Sequence, residues 1–536
     1  MTEPVPFGDA TIGLYSVAEA CAAQLLCDGH DPQSVAFTIV EADLSSEDIT
    51  YGQLRERSER GAAALAGLGV GPGDSVATLM GKSADLVVML LAIWRRGAIH
   101  VPLFTAFAWP AIDLRIKASN AKVIITDSDQ LTKIQDTTAT VVVAGAGRET
   151  PGLALTPLLE AQPAGISAEA VGGDGTLVLI FTSGTTGTPK GVPVPLRALA
   201  AFRQYIELGL DVEPDDVFWN AADPGWAYGL YYGILGPLAA GRRSVLLHAG
   251  FSPELSFALL ERFRVTNFAA APTVYRALRS TSRPTPGNVR LRRASSAGEP
   301  LTPEVITWAE ETFGIPVRDH YGQTEHGMMI INAWSSRVRR PLRPGSMGHP
   351  LPGWTCAVLK NDCDEPAAPG EVGRVAVDVP ASPLMWFTGY KDAPGRTAER
   401  FSHDRRWYIT GDAGTVNEDG YYYFTARDDD IIIMAGYRIG PFEVESVLCT
   451  HPAVHESAVI GAPDELRGEV LEAFVVLTDN AVGNNALVSE LQNHVKTNYA
   501  AHAFPRTIHF VDQLPKTPSG KIQRHILRNQ RTGSSG

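Results

Sequence analysis

The 536-residue sequence predicts an α/β protein, and three observations predict it. Short apolar, β-favouring runs alternate with helical stretches as far as Arg343, the pattern of βα units in largely parallel sheets. From there the texture changes to short strands separated by glycine-rich turns, such as PGSMG at 344–348 and APGEVG at 368–373, which suggests a small β-barrel-like subdomain. A charged run, Arg427-Asp428-Asp429-Asp430, then interrupts two β-rich stretches, and beyond it the chain reads as a small α+β unit. The expected architecture is a large N-terminal domain (1–428) of two βα-sheet subdomains plus the β-barrel-like piece, followed by a small α+β C-terminal domain (429–536). At about 150 residues per domain, three or four such units suit this length.

Each element has its local reason. Residues 17–26 carry a helical pattern and 34–41 an extended one. Thr50 is a candidate N-cap for a helix that runs to about 68 and stops at GVGPGD, 69–74. A strand at 75–80, a helix at 83–96 and a strand at 123–126 follow. The apolar run 86–94 ends in Arg95-Arg96; it is too short to span a bilayer and suits a buried helix. Further strands are expected at 178–181, 244–247, 267–271 and 293–296, each ending near Gly, Pro, Ser or Thr. Ligand sites in open α/β sheets collect at such carboxyl ends. Helices are expected near 441–449 and 484–499, and the final RTGSSG reads as a disordered tail or a cloning remnant.

Composition narrows the function. Hydrophobic content of 44% with 20% charged residues is that of a soluble globular chain. A net charge of −13 argues against nucleic acid or an anionic membrane as partner, so an anionic substrate must be held by local positive groups. The five cysteines form no CxxC pair and have no histidine cluster beside them, which reads as reduced cytosolic thiols without a zinc site. The N-terminus lacks the basic and apolar regions of a secretory signal, and a cytoplasmic location is expected.

Five stretches carry chemistry. TSGTTGTPKG, 182–191, follows an apolar run at 177–181 and describes a polyphosphate cradle. Glycines admit close approach of backbone N–H groups, hydroxyls add donors and Lys190 adds charge. It is not a Walker A loop, because Gly184 and Gly187 are two residues apart and no Ser or Thr follows Lys190. SAGEP at 296–300 ends a strand. DHYGQTE at 319–325 offers a ring for a base, a glycine and donors for phosphates, and a carboxylate for Mg²⁺. YITGD at 408–412 ends in an aspartate suited to two ribose hydroxyls, and PKTPSGK at 515–521 places a lysine on a turn. Each has a plainer alternative: Tyr321 and Trp226 as core aromatics, Glu325 and Asp412 as solvated or capping acids, Lys521 as an exposed lysine, His320 and His326 as structural, 182–191 as a surface loop. What favours the functional reading is their co-occurrence in this order.

In that order they resemble the AMP-forming acyl-CoA synthetases of the adenylate-forming superfamily, which includes luciferases and peptide-synthetase adenylation domains. The resemblance covers nearly the whole chain through TSGTTGTPKG, YGQTE, YITGD, GYRIGPFEVE (436–445) and PKTPSGKIQR. Medium-chain acyl-CoA synthetases are the most similar group, through GSMG at 345–348, GYRIGPFEVES and RGE at 467–469. The resemblance implies that a carboxylic acid attacks ATP to give acyl-AMP and pyrophosphate, and that coenzyme A then takes the acyl group.

It also implies the roles. Thr182, Ser183, Gly184, Thr185, Thr186, Gly187 and Lys190 would hold the β- and γ-phosphates, with Thr324 reaching phosphate and Glu325 binding Mg²⁺. Gly298, Glu299 and Pro300 would line the adenine, Tyr321 would stack on it, and Asp319, His320, Gly322 and Gln323 complete that segment. Asp412 and Arg427 would hold the ribose. Lys521 would bridge carboxylate and phosphate, then leave as the mobile C-terminal domain turns about a hinge at Asp429. Gly436 would then line the coenzyme A tunnel, and Arg438 would contact phosphate in one state. Trp226, Tyr228, Gly229, Tyr232 and Gly322 fall in the acyl-pocket segments. Gly322 stands where acetate-specific relatives carry tryptophan, which leaves room for a longer chain.

Ala426, the Met434-Ala435 pair and the missing histidine after Lys190-Gly191 depart from the common pattern without removing a catalytic group. The expected acid is short-to-medium aliphatic or branched, with an aryl acid as rival. A stand-alone adenylation enzyme loading a carrier protein and an inactive nucleotide-binding regulator are the alternative functions. Pro515 and Gly520-Lys521 fit the context that lysine acetyltransferases favour in this family, and a homodimer is a further possible partner state.

Overall fold

The computed structural model describes residues 9–145, 151–182, 189–281, 287–299, 301–427, 430–434, 437–464, 468–500, 503–517 and 522–533. Two sheets dominate it. The first has seven strands in the order Leu153–Ala154, Thr140–Ala144, Val123–Asp127, Ser75–Leu79, Ile99–Pro102, Thr176–Thr182 and Lys190–Pro195. All its pairs are parallel except the last, an antiparallel hairpin. Ser75–Leu79 is buried at every residue, as expected of a strand covered on both faces.

The helices have clear local causes. Tyr51–Gly67 begins with a full capping box, in which Thr50 accepts from the Gln53 N–H and the Gln53 side chain accepts from the Thr50 N–H. Ala84–Arg95 is capped by Ser83, whose hydroxyl accepts from Leu86 at 3.2 Å, and most of its length is buried. The burial takes in Arg95, whose guanidinium meets Asp28 through two bonds of 2.8 and 2.7 Å; a buried charge needs such a partner.

The second sheet has thirteen strands and holds most of the site. Its parallel part contains Val35–Glu41, Ser244–His248, Phe218–Asn220, Asn267–Ala270, Arg293–Ala297 and Arg318–Gln323. An antiparallel part continues through Gly327–Ile331, Ser346–Pro350, Tyr422–Arg427, Trp407–Val416, Gly373–Asp378 and Cys356–Leu359. The turn-rich stretch beyond Arg343 is thus a β-rich subdomain hydrogen-bonded onto the α/β sheet, with Ser346–Pro350 as the shared strand. Gly348 has φ +96°, and a Cβ there would lie 2.1 Å from the Ile331 carbonyl, so the joint requires glycine. One contiguous apolar cluster draws on both sheets, from Val76 and Val178 to Phe37 and Leu246.

Between Arg427 and Ile432 the chain leaves this sheet for another. Ile432–Met434, Tyr437–Ile439, Gly468–Leu477, Val454–Asp464 and Thr507–Phe510 form a separate sheet with its own core around Val444, Leu448, Leu471 and Leu491. Helices Pro441–Cys449 and Asn485–Asn498 cover it, the latter capped by Asn484. Arg524 and Arg528 of the last helix, Arg524–Gly533, pair with Asp430, and Arg524 also pairs with the buried Glu445.

One expected element is misplaced. The helical pattern at 17–26 gives instead a helix at Asp9–Ser16 and a π-helical turn at Gln24–Asp28. The carbonyls of Val17 and Ala20 accept from the N–H groups of Val171, Gly172 and Gly173, so a distant segment uses the acceptors a local helix would need.

Candidate active site

Asp412 is where separate stretches meet. Its carboxylate accepts from the Tyr321 hydroxyl at 2.6 Å and from the Gln323 amide at 2.5 Å, and Arg427 stands 3.3 Å from its other oxygen. Asp412 and Arg427 face each other in neighbouring antiparallel strands, so strand register makes the pair. Gln323 also donates to the Thr410 carbonyl and accepts from the Tyr408 hydroxyl. Asp412 is only 3% exposed. Burial first, then the neighbouring Asp412 charge, raises the Tyr321 hydroxyl well above its usual value and keeps it a donor.

Gly298 has φ +98° and open space where a side chain would project, so the strand end there leaves room for a flat ligand. Glu299 is occupied elsewhere. Its carboxylate accepts from Thr273 at 2.7 Å and from Arg276 at 2.7 Å, so any contact it makes to adenine falls to its backbone. Asp319 is half-buried, and burial pushes its carboxyl up to about 8.

His320 differs from the expected role. Its ring is 2% exposed, with Nδ1 2.6 Å from the Tyr205 hydroxyl and Nε2 3.2 Å from the Asn332 carbonyl. Both nitrogens are used inside the core, and desolvation lowers its pKa to about 3. It is a neutral structural histidine whose side chain has nothing left for a nucleotide.

A second cluster surrounds Lys190. Thr182 and Lys190 pair across the hairpin, which fixes both ends of the expected phosphate loop. The Lys190 ammonium lies 5.0 Å from the centre of the Tyr390 ring, and the Tyr390 hydroxyl donates to Glu325 at 2.8 Å. Burial, then the positive charges of Arg400 and Arg396, lower the Lys190 pKa. Arg400 also bonds the Thr410 carbonyl at 3.2 Å and fills the space over Gly411, so it bridges the two clusters. The Thr324 carbonyl accepts from Tyr231. Tyr390 and Arg400 were not singled out from the sequence, and Tyr408 entered only as the first residue of YITGD, with no role given to it. No motif marks Tyr390 or Arg400, and only long-range packing brings them to Lys190 and Glu325.

The expected acyl pocket is more closely packed than the sequence suggests. Gly322 does not face open space: a Cβ there would lie 2.1 Å from the Gly327 carbonyl, beside a register shift in the strand pair. The glycine is demanded by backbone, and the inference of spare pocket volume from it fails. Tyr232 is 1% exposed and its hydroxyl accepts from the Met328 N–H at 2.7 Å, which makes it the support of that same bulge rather than a pocket wall. Tyr228 is buried with its hydroxyl 3.3 Å from that of Tyr205. Gly229 is required because a Cβ would meet the Asp223 carbonyl at 2.2 Å. Trp226 is half-buried, with its ring 5.7 Å from that of Phe104.

Ser183, Gly184, Thr185, Thr186, Gly187, Pro300, Asp429, Gly436 and Lys521 lie outside the described residues, as does the side chain of Arg438. For magnesium, Glu325 offers a single carboxylate. Among the described residues no group of three or more His, Cys, Asp or Glu is placed to hold a metal. Such a donor set fits a cation that arrives on a nucleotide, with phosphate oxygens and water completing its shell. No helix among the described residues is long and apolar enough to cross a membrane.

Asp412 lies in the middle of the strand Trp407–Val416 and not at the strand end expected from the sequence; a tyrosine and an amide converge on it, beside Lys190 and Glu325 with Arg400 near them. Comparison with known proteins identifies the family. Residues 29–390 match the AMP-binding enzyme family and 443–521 its C-terminal domain. The chain is 36% identical over 496 residues to the acetyl-coenzyme A synthetase of Bacillus subtilis, covering 90% of this chain and 85% of that one. It is 36% identical over 477 residues to the mitochondrial acyl-coenzyme A synthetase ACSM3 of Mus musculus, covering 85% and 80%. A crystal structure of an acyl-CoA synthetase from Brucella canis is 40% identical with a TM-score of 0.75, covering 98% and 97%. The chain belongs to the AMP-binding enzyme family and is an AMP-forming acyl-CoA synthetase, a ligase that uses ATP and coenzyme A.

Proposed function

We propose that this site activates a short-to-medium-chain, unbranched or branched aliphatic acid, with the residue roles as follows. The convergence of Tyr321, Gln323 and Arg427 on Asp412 carries the reading. The two ribose hydroxyls would take up the Asp412 oxygens, and the adenine would lie on the half-buried Tyr321 ring beside the open space at Gly298. Lys190, Thr182 and the loop 183–187 would hold the β- and γ-phosphates, with Thr324 at the same end. Glu325 would hold Mg²⁺, which neutralises charge on the phosphate oxygens where two anions must meet.

Lys521 would bring the final positive charge to the reacting carboxylate and α-phosphate. Its departure on rotation about Asp429 would open the path for the thiol past Gly436. Acetylation of Lys521 would remove the charge that adenylation needs and leave the thioester step intact.

The neighbouring rings of Trp226 and Phe104, 5.7 Å apart, support an apolar acid. An aromatic acid is the rival reading, because each methylene in an apolar pocket discriminates by only about 1–3 kcal/mol. A panel of aliphatic and aromatic acids with ATP, scored for pyrophosphate release and then for thioester with coenzyme A, tests this. Aromatic acids turning over faster than C4–C8 acids would reverse the assignment. Lys521→Ala should abolish pyrophosphate release and keep thioester formation from supplied acyl-AMP.

A further inference from the structure

The ring of Tyr390 connects the two charged groups at the phosphate end of the site. Its hydroxyl donates to Glu325 at 2.8 Å and its face meets the Lys190 ammonium at 5.0 Å. The side chain is 6% exposed, so its bond to Glu325 forms in a desolvated setting where it is worth more than at a surface. The backbone around it is fixed independently: the Tyr390 N–H is held by Thr397 at 2.9 Å and the next N–H, of Lys391, by the Gly191 carbonyl at 2.9 Å. That second bond ties the Tyr390 segment to the strand that carries Lys190.

We propose that Tyr390 is a positioning residue for the metal–triphosphate site. Its hydroxyl occupies one oxygen of Glu325 and would leave the other for a nucleotide-borne cation, while its ring face fixes where the Lys190 ammonium can stand. One phenol thereby sets the separation between the cation carried by the protein and the cation carried by the nucleotide. Arg400, within electrostatic reach of Tyr390 and Lys190, adds to the positive field on the pyrophosphate side. This rests on the assignment of Glu325 to the metal.

The test uses the full-length protein with ATP and Mn²⁺ but no acid, so that nothing turns over. Mn²⁺ binding is read by electron paramagnetic resonance and metal-free ATP binding by calorimetry. Tyr390→Phe keeps the ring and deletes the hydroxyl; it should weaken Mn²⁺ binding in the presence of ATP about tenfold and leave metal-free ATP binding and Tm unchanged. Tyr390→Leu should weaken metal-free ATP binding as well, because Lys190 loses its platform. In turnover, Tyr390→Phe should raise the KM for the metal–ATP complex more than it lowers kcat. The proposal is overturned if Tyr390→Phe binds Mn²⁺ like the wild type while Glu325→Gln does not. Equal losses of Tm, metal-free binding and metal binding also overturn it, since that is the signature of a merely structural ring. If Glu325→Gln itself binds Mn²⁺ normally, the metal assignment has failed first and the positioning role falls with it.

Discussion

The Asp412 cluster, proposed to hold the ribose, and the Lys190 cluster, proposed to hold the phosphates, are built differently. Asp412, Arg427, Tyr321 and Gln323 stand on three strands of one sheet, with register fixing Asp412 opposite Arg427. Lys190, Glu325, Tyr390 and Arg400 come from a hairpin, a loop after a strand, and two points of a turn-rich segment, brought together by side-chain contacts and by the one backbone bond from Lys391 to Gly191 rather than by a shared ladder. The first end is a scaffold that recognises; the second is an adjustable set of charges. Under the proposed roles, the first end would read a ribose through a fixed pattern of hydrogen bonds, whereas the second would hold three phosphates, release two, and tolerate the arrival and departure of Lys521.

That contrast can be broken by experiment. Asp412→Ala removes a buried acceptor of two hydrogen bonds, from Tyr321 and Gln323, and the partner of Arg427. It should lower ATP–pyrophosphate exchange by about 10²-fold or more and reduce Tm by several degrees, since charge-assisted bonds are worth about 1.5–3 kcal/mol each. Lys190→Met should raise the KM for ATP about tenfold with little change in Tm, because a half-exposed, screened lysine contributes little to folding. If both variants lose Tm equally, the two ends are built alike and the distinction is wrong.

Smaller effects follow from pH. His100 and His320 are held near 3 and His326 near 4 by desolvation, each below the ordinary 6.5. As pH falls below 6.5 the unfolded chain takes up protons that the folded core refuses, so Tm should decline from pH 7 to pH 5. The smallest effect concerns Asp319, whose carboxyl is raised to about 8. Its ionisation costs the fold increasingly from about pH 4 to pH 8, so Asp319→Asn should gain more Tm at pH 8.5 than at pH 5. An equal gain at both pH values would mean that the carboxyl is solvated.

Much of this was legible in the sequence where the cause is local. The Thr50 cap, the strands at 75–79 and 176–182, and the helices Ala84–Arg95 and Pro441–Cys449 follow from turn chemistry and apolar runs. Asp412, Lys190 and Glu325 stood out because their motifs recur as a set. What was not legible depends on who else comes close. Tyr390 and Arg400 sit in turn-rich segments without periodicity, and only the bond from Lys391 to Gly191 delivers Tyr390 to the site. Gly322 looked like space and is a backbone crossing; Tyr232 looked like a wall and is the hydroxyl that secures that crossing. Glu299 and His320 are engaged by Thr273, Arg276 and Tyr205, partners far away in sequence.

The shared strand Ser346–Pro350 has a consequence for anyone redesigning the acid this enzyme accepts. It stitches the strand of Tyr321 and Gln323 and the strands of Asp412 and Arg427 into one hydrogen-bonded ladder, while Trp226 and the aromatic helices Ala227–Gly229 and Leu230–Leu235 add no rung to it. Those helices are anchored by a handful of pins: Tyr232 to Met328, Asn220 to the Tyr228 carbonyl and Ser244 to the Gly233 carbonyl. They form a cassette. A library that diversifies Trp226, Ala227 and Phe104 while keeping the pins and Gly229 would explore substrate range on a chassis whose nucleotide half is left as it is.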